Sequence, residues 1–154
     1  MSKILLFLVL LPFFYSTTTI ISSQEHGKSF ISMERTGCHG RCPIYKITIY
    51  GTGKAEYEGK MFVTKLGKHQ KQLTKKELNA LFNAFDKASF FDFKNEYAGP
   101  MADLPTTYIT YQDNHEQKKT ITDNWQAPQE LKTLEKLVDE VANSEGWAGR
   151  WGSK

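Results

Sequence analysis

Cysteine is scarce in this sequence, with two in 154 residues. One bridge is the most that two cysteines allow, so the fold must rest on its apolar core rather than on a disulfide framework. A mature chain of about 130 residues can do that, because it buries roughly two thirds of its unfolded surface. Excess charge is scarce too. The formal net charge is +3, one unit lower once Lys3 is removed with a leader, and the basic residues are scattered apart from the run Lys65 to Lys76. That excess is too small to predict a nucleic-acid partner or an anionic membrane surface, and the run itself reads as a solvated hairpin tip. Internal repeats, low-complexity tracts, phosphate loops and metal-protease motifs are absent, and Ser29, Ser32 and Ser89 have no neighbouring histidine or glycine-rich elbow to make them nucleophiles. No complete catalytic set is present.

Long hydrophobic runs are missing with one exception. Lys3 precedes the uncharged stretch Ile4 to Phe14, which is followed by a small polar segment from Ser16 to Ser23. The run is too short for a bilayer-spanning helix, which needs about 20 residues, and a basic start, a short apolar centre and a polar exit form a secretory signal peptide. The expectation is a leader over residues 1–23, cut between 16 and 24, with export to the periplasm or beyond and no stable membrane anchor afterwards. The rival, an anchor helix reaching Ile21, is diluted by Ser16 to Thr19. No cysteine precedes Cys38, which argues against a lipid anchor.

From residue 28 to 147 the chain reads as a single α+β domain, with a frayed tail at 148–154. Phe30 to Glu34 alternates apolar and polar, as does Tyr45 to Tyr50, with Tyr45, Ile47 and Ile49 on one face. Gly51-Thr52-Gly53 then turns the chain into the alternating Lys54 to Glu58, which predicts a β-hairpin. Met61 to Lys65 reads as a further strand, with Gly67 to His69 turning into Gln70 to Leu73. Thr74 and Glu77 form a capping box ahead of Leu78, Leu81, Phe82 and Phe85, an apolar stripe at helical spacing. Phe90-Phe91-Asp92-Phe93 predicts a turn that plugs the core, and Asn95 to Pro105 an irregular segment. A second hairpin pairs Thr107 to Tyr111 with Lys119 to Thr122. Pro128 sits at the first turn of a second helix carrying Leu131, Leu134, Val138 and Val141, which Asn143 to Gly146 stop, and Trp147 folds back on the core. Hairpins imply an antiparallel sheet, and two one-sided helices would pack on one of its faces.

The chemistry concentrates in Arg35-Thr36-Gly37-Cys38-His39-Gly40-Arg41-Cys42-Pro43-Ile44-Tyr45, where a loop hands over to a strand. Three readings of Cys38 and Cys42 follow. A disulfide would close a ring of about five residues and contribute roughly 2 kcal/mol locally, with Gly37 and Gly40 supplying tolerance of positive φ; this is the leading reading in an oxidising compartment. Thiol redox chemistry would be assisted by Arg35, His39 and Arg41, which favour the thiolate, but the spacing is three rather than two residues and a strand follows. A soft metal is the third: Cys-x-x-x-Cys-Pro is similar to the copper-site spacing of certain thioredoxin-fold copper chaperones, and Cys38, Cys42 and His39, or a remote His69 or His115, would suit Cu(I) or Zn(II). Asp92, Glu96 and Asp103 read as solvated loop carboxylates rather than an acid/base pair.

Taken together, Arg35-x-x-Cys38-x-Gly40-x-Cys42-Pro43-x-Tyr45, the Gly51/Gly53 hairpin and Asp103-Leu104-Pro105-Thr106-Thr107 resemble the bacterial family known as domain of unknown function 6438, over roughly Phe30 to Val141. The resemblance implies an exported bacterial domain with no established activity, and it marks Arg35, Gly40, Pro43, Tyr45 and Asp103 as motif positions beside the two cysteines. The expectation is therefore a non-enzymatic interaction module without a cofactor, its partner an envelope protein, a peptide or a glycan. A thiol-redox or copper-handling protein is the alternative.

Overall fold

A computed structural model describes residues 26–101 and 103–149; the expected leader and residues 150–154 lie outside them. The strands are β1 (Phe30–Arg35), β2 (Ile44–Tyr50), β3 (Lys54–Met61), β4 (Gly67–Gln72), β5 (Glu96–Tyr97), β6 (Thr107–Gln112) and β7 (Lys118–Asp123), and the helices are α1 (Lys75–Lys87) and α2 (Gln129–Asn143). All seven strands share one sheet in the order β4-β3-β2-β1-β6-β7-β5, antiparallel except for the two-residue pairing of β5 with β7. The fold is α+β, as the hairpins imply. No helix among the described residues is long and apolar enough to cross a membrane.

Register places the residues in rows across the sheet. One inner row is Tyr57–Ile47–Met33–Ile109–Ile121, and the next is Ala55–Ile49–Ile31–Tyr111–Lys119. Both helices lie over this face. Phe82 and Phe85 of α1 meet the Tyr111 ring at 6.1 and 5.3 Å, and Phe90, in a 3-10 turn after α1, meets it at 5.8 Å. The apolar stripes land as their spacing predicts: Leu78, Leu81, Phe82 and Phe85 are buried from α1, and Leu131, Leu134, Val138 and Ala142 from α2, with Val141 half-buried. At about 1.5–3 kcal/mol for each fully buried large side chain, either stripe outweighs a five-residue disulfide ring, so the core and not the cysteine pair holds the fold together. The capping box forms too, the Glu77 amide donating to Thr74 Oγ1 at 3.3 Å and the Thr74 amide to Glu77 Oε2 at 2.8 Å.

The opposite face carries no helix among the described residues. Its central row is Thr48–Ser32–Thr110–Thr120, and the hydroxyls pair with one another: Ser32 Oγ lies 3.1 Å from Thr48 Oγ1, and Thr110 Oγ1 lies 2.8 Å from Thr120 Oγ1.

Three local expectations change. Met61 to Lys65 is not a strand of its own: β3 runs through Met61, residues 62–66 form the loop, and Gly67 to His69 belong to β4 rather than to a turn. The loop turns at Phe62 and Gly67, both with positive φ (55° and 79°), and curls over Gly59, where a β-carbon would stand 1.9 Å from the Lys65 carbonyl oxygen. The irregular segment after Asn95 contains β5, whose parallel partner is distant in sequence. At the chain's end, Ala148 exchanges two backbone hydrogen bonds with Gln70 (2.8 and 3.2 Å), so ordered pairing reaches one residue past Trp147, whose ring packs 5.5 Å from that of Tyr57.

Gly59→Ala is expected to lift the 62–66 loop and cost roughly 1–3 kcal/mol by overpacking. Gly149→Ala, where nothing lies within 4 Å of the added carbon, serves as the neutral control. Thermal melts of the two variants check this, and equal melting temperatures would count against the loop's position.

Candidate functional site

The third inner row of the sheet is polar. Tyr45, Arg35, Thr107 and Asp123 stand side by side on β2, β1, β6 and β7. They lie at the end of the sheet where β1 gives way to the cysteine loop, and α2 crosses above them. Three of the helix's polar residues, Lys132, Glu135 and Asp139, share a face at i, i+3 and i+7, and that face meets the row.

Asp139 is the hub. Its carboxylate receives the Arg35 fork, Nε to Oδ1 at 2.8 Å and Nη2 to Oδ2 at 2.6 Å, together with the Tyr45 hydroxyl. Arg35 Nη1 donates to Thr107 Oγ1 at 2.7 Å, and Nη2 lies 3.6 Å from Glu135 Oε2. Burial alone would depress the Arg35 pKa, but the hydrogen bonds and charge of Asp139 outweigh it and hold the guanidinium above its ordinary value. Burial, reinforced by the Asp139 hydrogen bond, raises the Tyr45 phenol well above its usual range. Both groups therefore keep their protons throughout the neutral range, as donors to a fixed acceptor.

Beside this hub lies a buried carboxyl pair. The Asp123 side chain is wholly inaccessible, and that of Glu135 is 3% exposed. Lys132 Nζ donates to Asp123 Oδ2 and lies 3.6 Å from Glu135 Oε2. The two remaining oxygens, Asp123 Oδ1 and Glu135 Oε1, have no donor. Two buried carboxylates with one orphaned oxygen each are costly. Burial first, then the hydrogen bond with Asp123, pushes the Glu135 carboxyl up to about 7 against the pull of Lys132. The Glu135 carboxyl therefore keeps its proton well above the usual carboxylate range.

The cysteine loop forms one wall over this floor. The Cys38 and Cys42 sulfurs stand at bonding distance, with Cα atoms 5.7 Å apart, inside the span a disulfide requires. Beneath them the loop is tied down at Thr36, whose amide donates to the Thr106 carbonyl at 2.9 Å and whose hydroxyl accepts from the Thr106 amide at 3.0 Å. At the tip Arg41 lies over the Phe62 ring at 5.6 Å, joining the cysteine loop to the β3–β4 loop. Between these walls a cleft of about 560 Å³ opens, lined by Cys42, Pro43, Phe62, Val63, Pro105 and Thr106 above, and by Arg35, Tyr45, Asp123, Lys132 and Asp139 below.

The motif positions divide. Arg35, Cys42, Pro43 and Tyr45 line the cleft, whereas Cys38, His39 and Asp103 border a neighbouring shallow depression, with His39 Nε2 3.4 Å from Asp103 Oδ2 and both side chains largely exposed. Gly40 lies at the loop tip and its amide donates to Cys38 Sγ at 3.3 Å. Neither Gly37 nor Gly40 has a positive φ, which corrects the conformational role expected of them; Gly37 instead leaves space beside Ile44, whose Cδ1 would lie 3.2 Å from an added carbon. Among the described residues no group of three His, Cys, Asp or Glu side chains is placed to hold a metal ion. Asp92 and Glu96 are exposed and form no pair with Asp103. The residues sequence reasoning missed are Asp123, Lys132, Glu135 and Asp139. The i, i+3, i+7 spacing of the last three was the available signal, since it forms a polar stripe alongside Leu131, Leu134 and Val138.

Fold and site define a two-layer α+β domain with a charged, partly buried cleft at one end of its sheet. The chain belongs to the family described as Domain of unknown function (DUF6438), which matches residues 29–142. No curated protein matches it.

Because the Glu135 carboxyl is raised from an ordinary 4.5 to about 7, the folded protein binds more protons than the unfolded chain between those values. The resulting stabilisation is complete below pH 4.5 and is lost as pH rises through 7, by at most about 3 kcal/mol. Glu135→Gln, which cannot ionise, is expected to gain about 2 kcal/mol over the native protein between pH 5 and pH 8. Denaturant titrations at the two pH values measure this, and parallel pH dependences would refute the raised Glu135 carboxyl.

Proposed function

We propose that this protein is an exported, non-enzymatic binding module whose cleft receives an extended peptide segment of another envelope protein. One observation carries the reading: four of the motif positions, Arg35, Cys42, Pro43 and Tyr45, line the same cleft. A cleft with apolar walls and a few placed polar groups is the usual form of a ligand site. Its walls present Pro43, Val63, Pro105 and a single ring, Phe62, already covered by Arg41, rather than the broad aromatic platform on which a sugar ring stacks, which favours a peptide over a glycan. Export is supported by the leader-like N-terminus and by a half-buried cysteine pair at bonding distance, an arrangement that persists in oxidising compartments. In this reading the Cys38–Cys42 disulfide fixes the wall of the cleft.

The test has two parts. Protein isolated from the cell envelope without reductant is expected to resist alkylation until it is reduced; two free thiols at isolation would remove the brace. On an array of peptides drawn from envelope proteins, Cys42→Ser and Phe62→Ala are each expected to weaken the native binding pattern about tenfold, the effect of losing about 1.4 kcal/mol at a wall contact.

The second reading, thiol-redox or copper handling by Cys38 and Cys42, is favoured by the position of Cys42 on the cleft, where a reductant or a copper carrier reaches it. An insulin-reduction assay and a Cu(I) competition titration of the reduced protein, each compared with Cys42→Ser, separate it from the first. Cysteine-dependent turnover or Cu(I) retention would replace the binding module.

A further inference from the structure

We propose that the loop between β3 and β4 is a membrane-contact site: Met61, Phe62 and Leu66 enter the headgroup layer of an anionic bilayer, while Lys65 and Arg41 meet its phosphates. This contact is reversible and independent of what fills the cleft.

Exposure carries the argument. Five large apolar side chains stand out from the surface among the described residues, and three of them belong to one short stretch: Met61, Phe62 and Leu66, at 50%, 45% and 61% exposure. Single exposed apolar residues are ordinary, but several on one loop mark an interaction surface. Phe62 also holds the left-handed backbone conformation, with φ at 55°. A bulky side chain adopts it at a cost, and such residues gather at functional sites. Neither Met61 nor Leu66 lines the cleft, so filling the cleft does not cover them.

The charge of this stretch has one sign. From Lys60 to Lys76 the chain carries six lysines and no carboxylate. Arg41, from the cysteine loop, adds a guanidinium over one face of the Phe62 ring at 5.6 Å. Carboxylates approach from the strands: Glu34 lies 3.3 Å from Lys60, and Glu58 stands opposite Lys68 in register. Those two pairs cancel, which leaves Lys65 and Arg41 as the net charge beside the apolar side chains.

Apolar side chains flanked by cations suit the surface of an anionic bilayer, where aliphatic groups and rings sink to headgroup level and basic groups stay with the phosphates. A second copy of this chain fits worse, because two identical basic loops would face each other. A folded protein partner needs roughly 800 Å² of contact on each side, more than the 62–66 loop supplies by itself. A soluble polyanion would leave the three apolar side chains in water.

The probe is a vesicle of equal parts phosphatidylglycerol and phosphatidylethanolamine, with phosphatidylcholine vesicles as the uncharged control, in co-sedimentation with the purified protein. The anionic vesicles are expected to bind about tenfold more tightly than the control, and to lose that advantage as salt shortens the screening length. Leu66→Ser and Met61→Ser are each expected to weaken vesicle binding about fivefold, and Lys65→Glu about tenfold. Both serine variants are expected to keep the native array-peptide pattern, since neither residue lines the cleft. Vesicle binding that none of the three substitutions weakens is carried elsewhere, as by the apolar N-terminal run, and overturns the proposal. Binding that falls with Lys65→Glu but with neither serine variant belongs to a polyanion site and overturns it as well. Failure to bind anionic vesicles overturns it while leaving peptide binding in place; an array without binders strikes the peptide reading alone.

Discussion

The Asp139 carboxylate, gripping Arg35 and Tyr45 at once, is the contact on which the arrangement of this protein turns. It fixes α2 across β1 and β2 in rotation as well as position, because a bidentate fork tolerates little twist. A partly buried ion pair of this kind is weak evidence for stability; burial of the helix's apolar stripe is the larger favourable term. What the pair supplies is orientation. It also makes strand register and helix placement depend on each other. A slip of one residue in β1 would carry Arg35 to the opposite face, leaving Asp139 without its partner and Met33 in solvent.

The orientation of α2 decides what stands over the sheet's polar row. With Asp139 above Arg35, the preceding turns bring Glu135 and Lys132 over Asp123. The cleft is thus a product of packing geometry and not of any local sequence motif. Its upper wall is local: the ring between Cys38 and Cys42, the clasp between Thr36 and Thr106, and the contact of Arg41 with Phe62 each involve neighbouring loops. The family signature joins both levels, since Arg35 and Tyr45 flank the cysteine ring in sequence and face each other across paired strands.

Much of this was legible in the chain itself, and the parts that were not share a cause. Alternation in Phe30–Glu34 and Tyr45–Tyr50, the glycine turn at Gly51 and Gly53, the Thr74/Glu77 box and both apolar stripes are short-range patterns, and the structure repeats them. β5 was invisible because two residues have no periodicity and their partner is far along the chain. The 62–66 loop was misread because Met61, Phe62 and Val63 have strand-forming side chains, while the features that end the strand are backbone ones, the positive φ at Phe62 and the close approach at Gly59. The carboxyls of α2 were passed over for a different reason. On an amphipathic helix, charged residues beside the apolar stripe look the same in sequence whether they meet water or a polar row, and only the pairing of Thr107 with Asp123 and Arg35 creates that row.

The side of the sheet that carries no helix among the described residues has a consequence of its own. Its hydroxyl rows satisfy one another along neighbouring strands, so no second layer is required to keep them from being stranded. Substitutions there exchange one solvated side chain for another without touching the aromatic cluster behind, or the α2 clamp. Among the described residues the molecule therefore presents two unlike surfaces, a cleft assembled from several elements and a broad plane of paired hydroxyls.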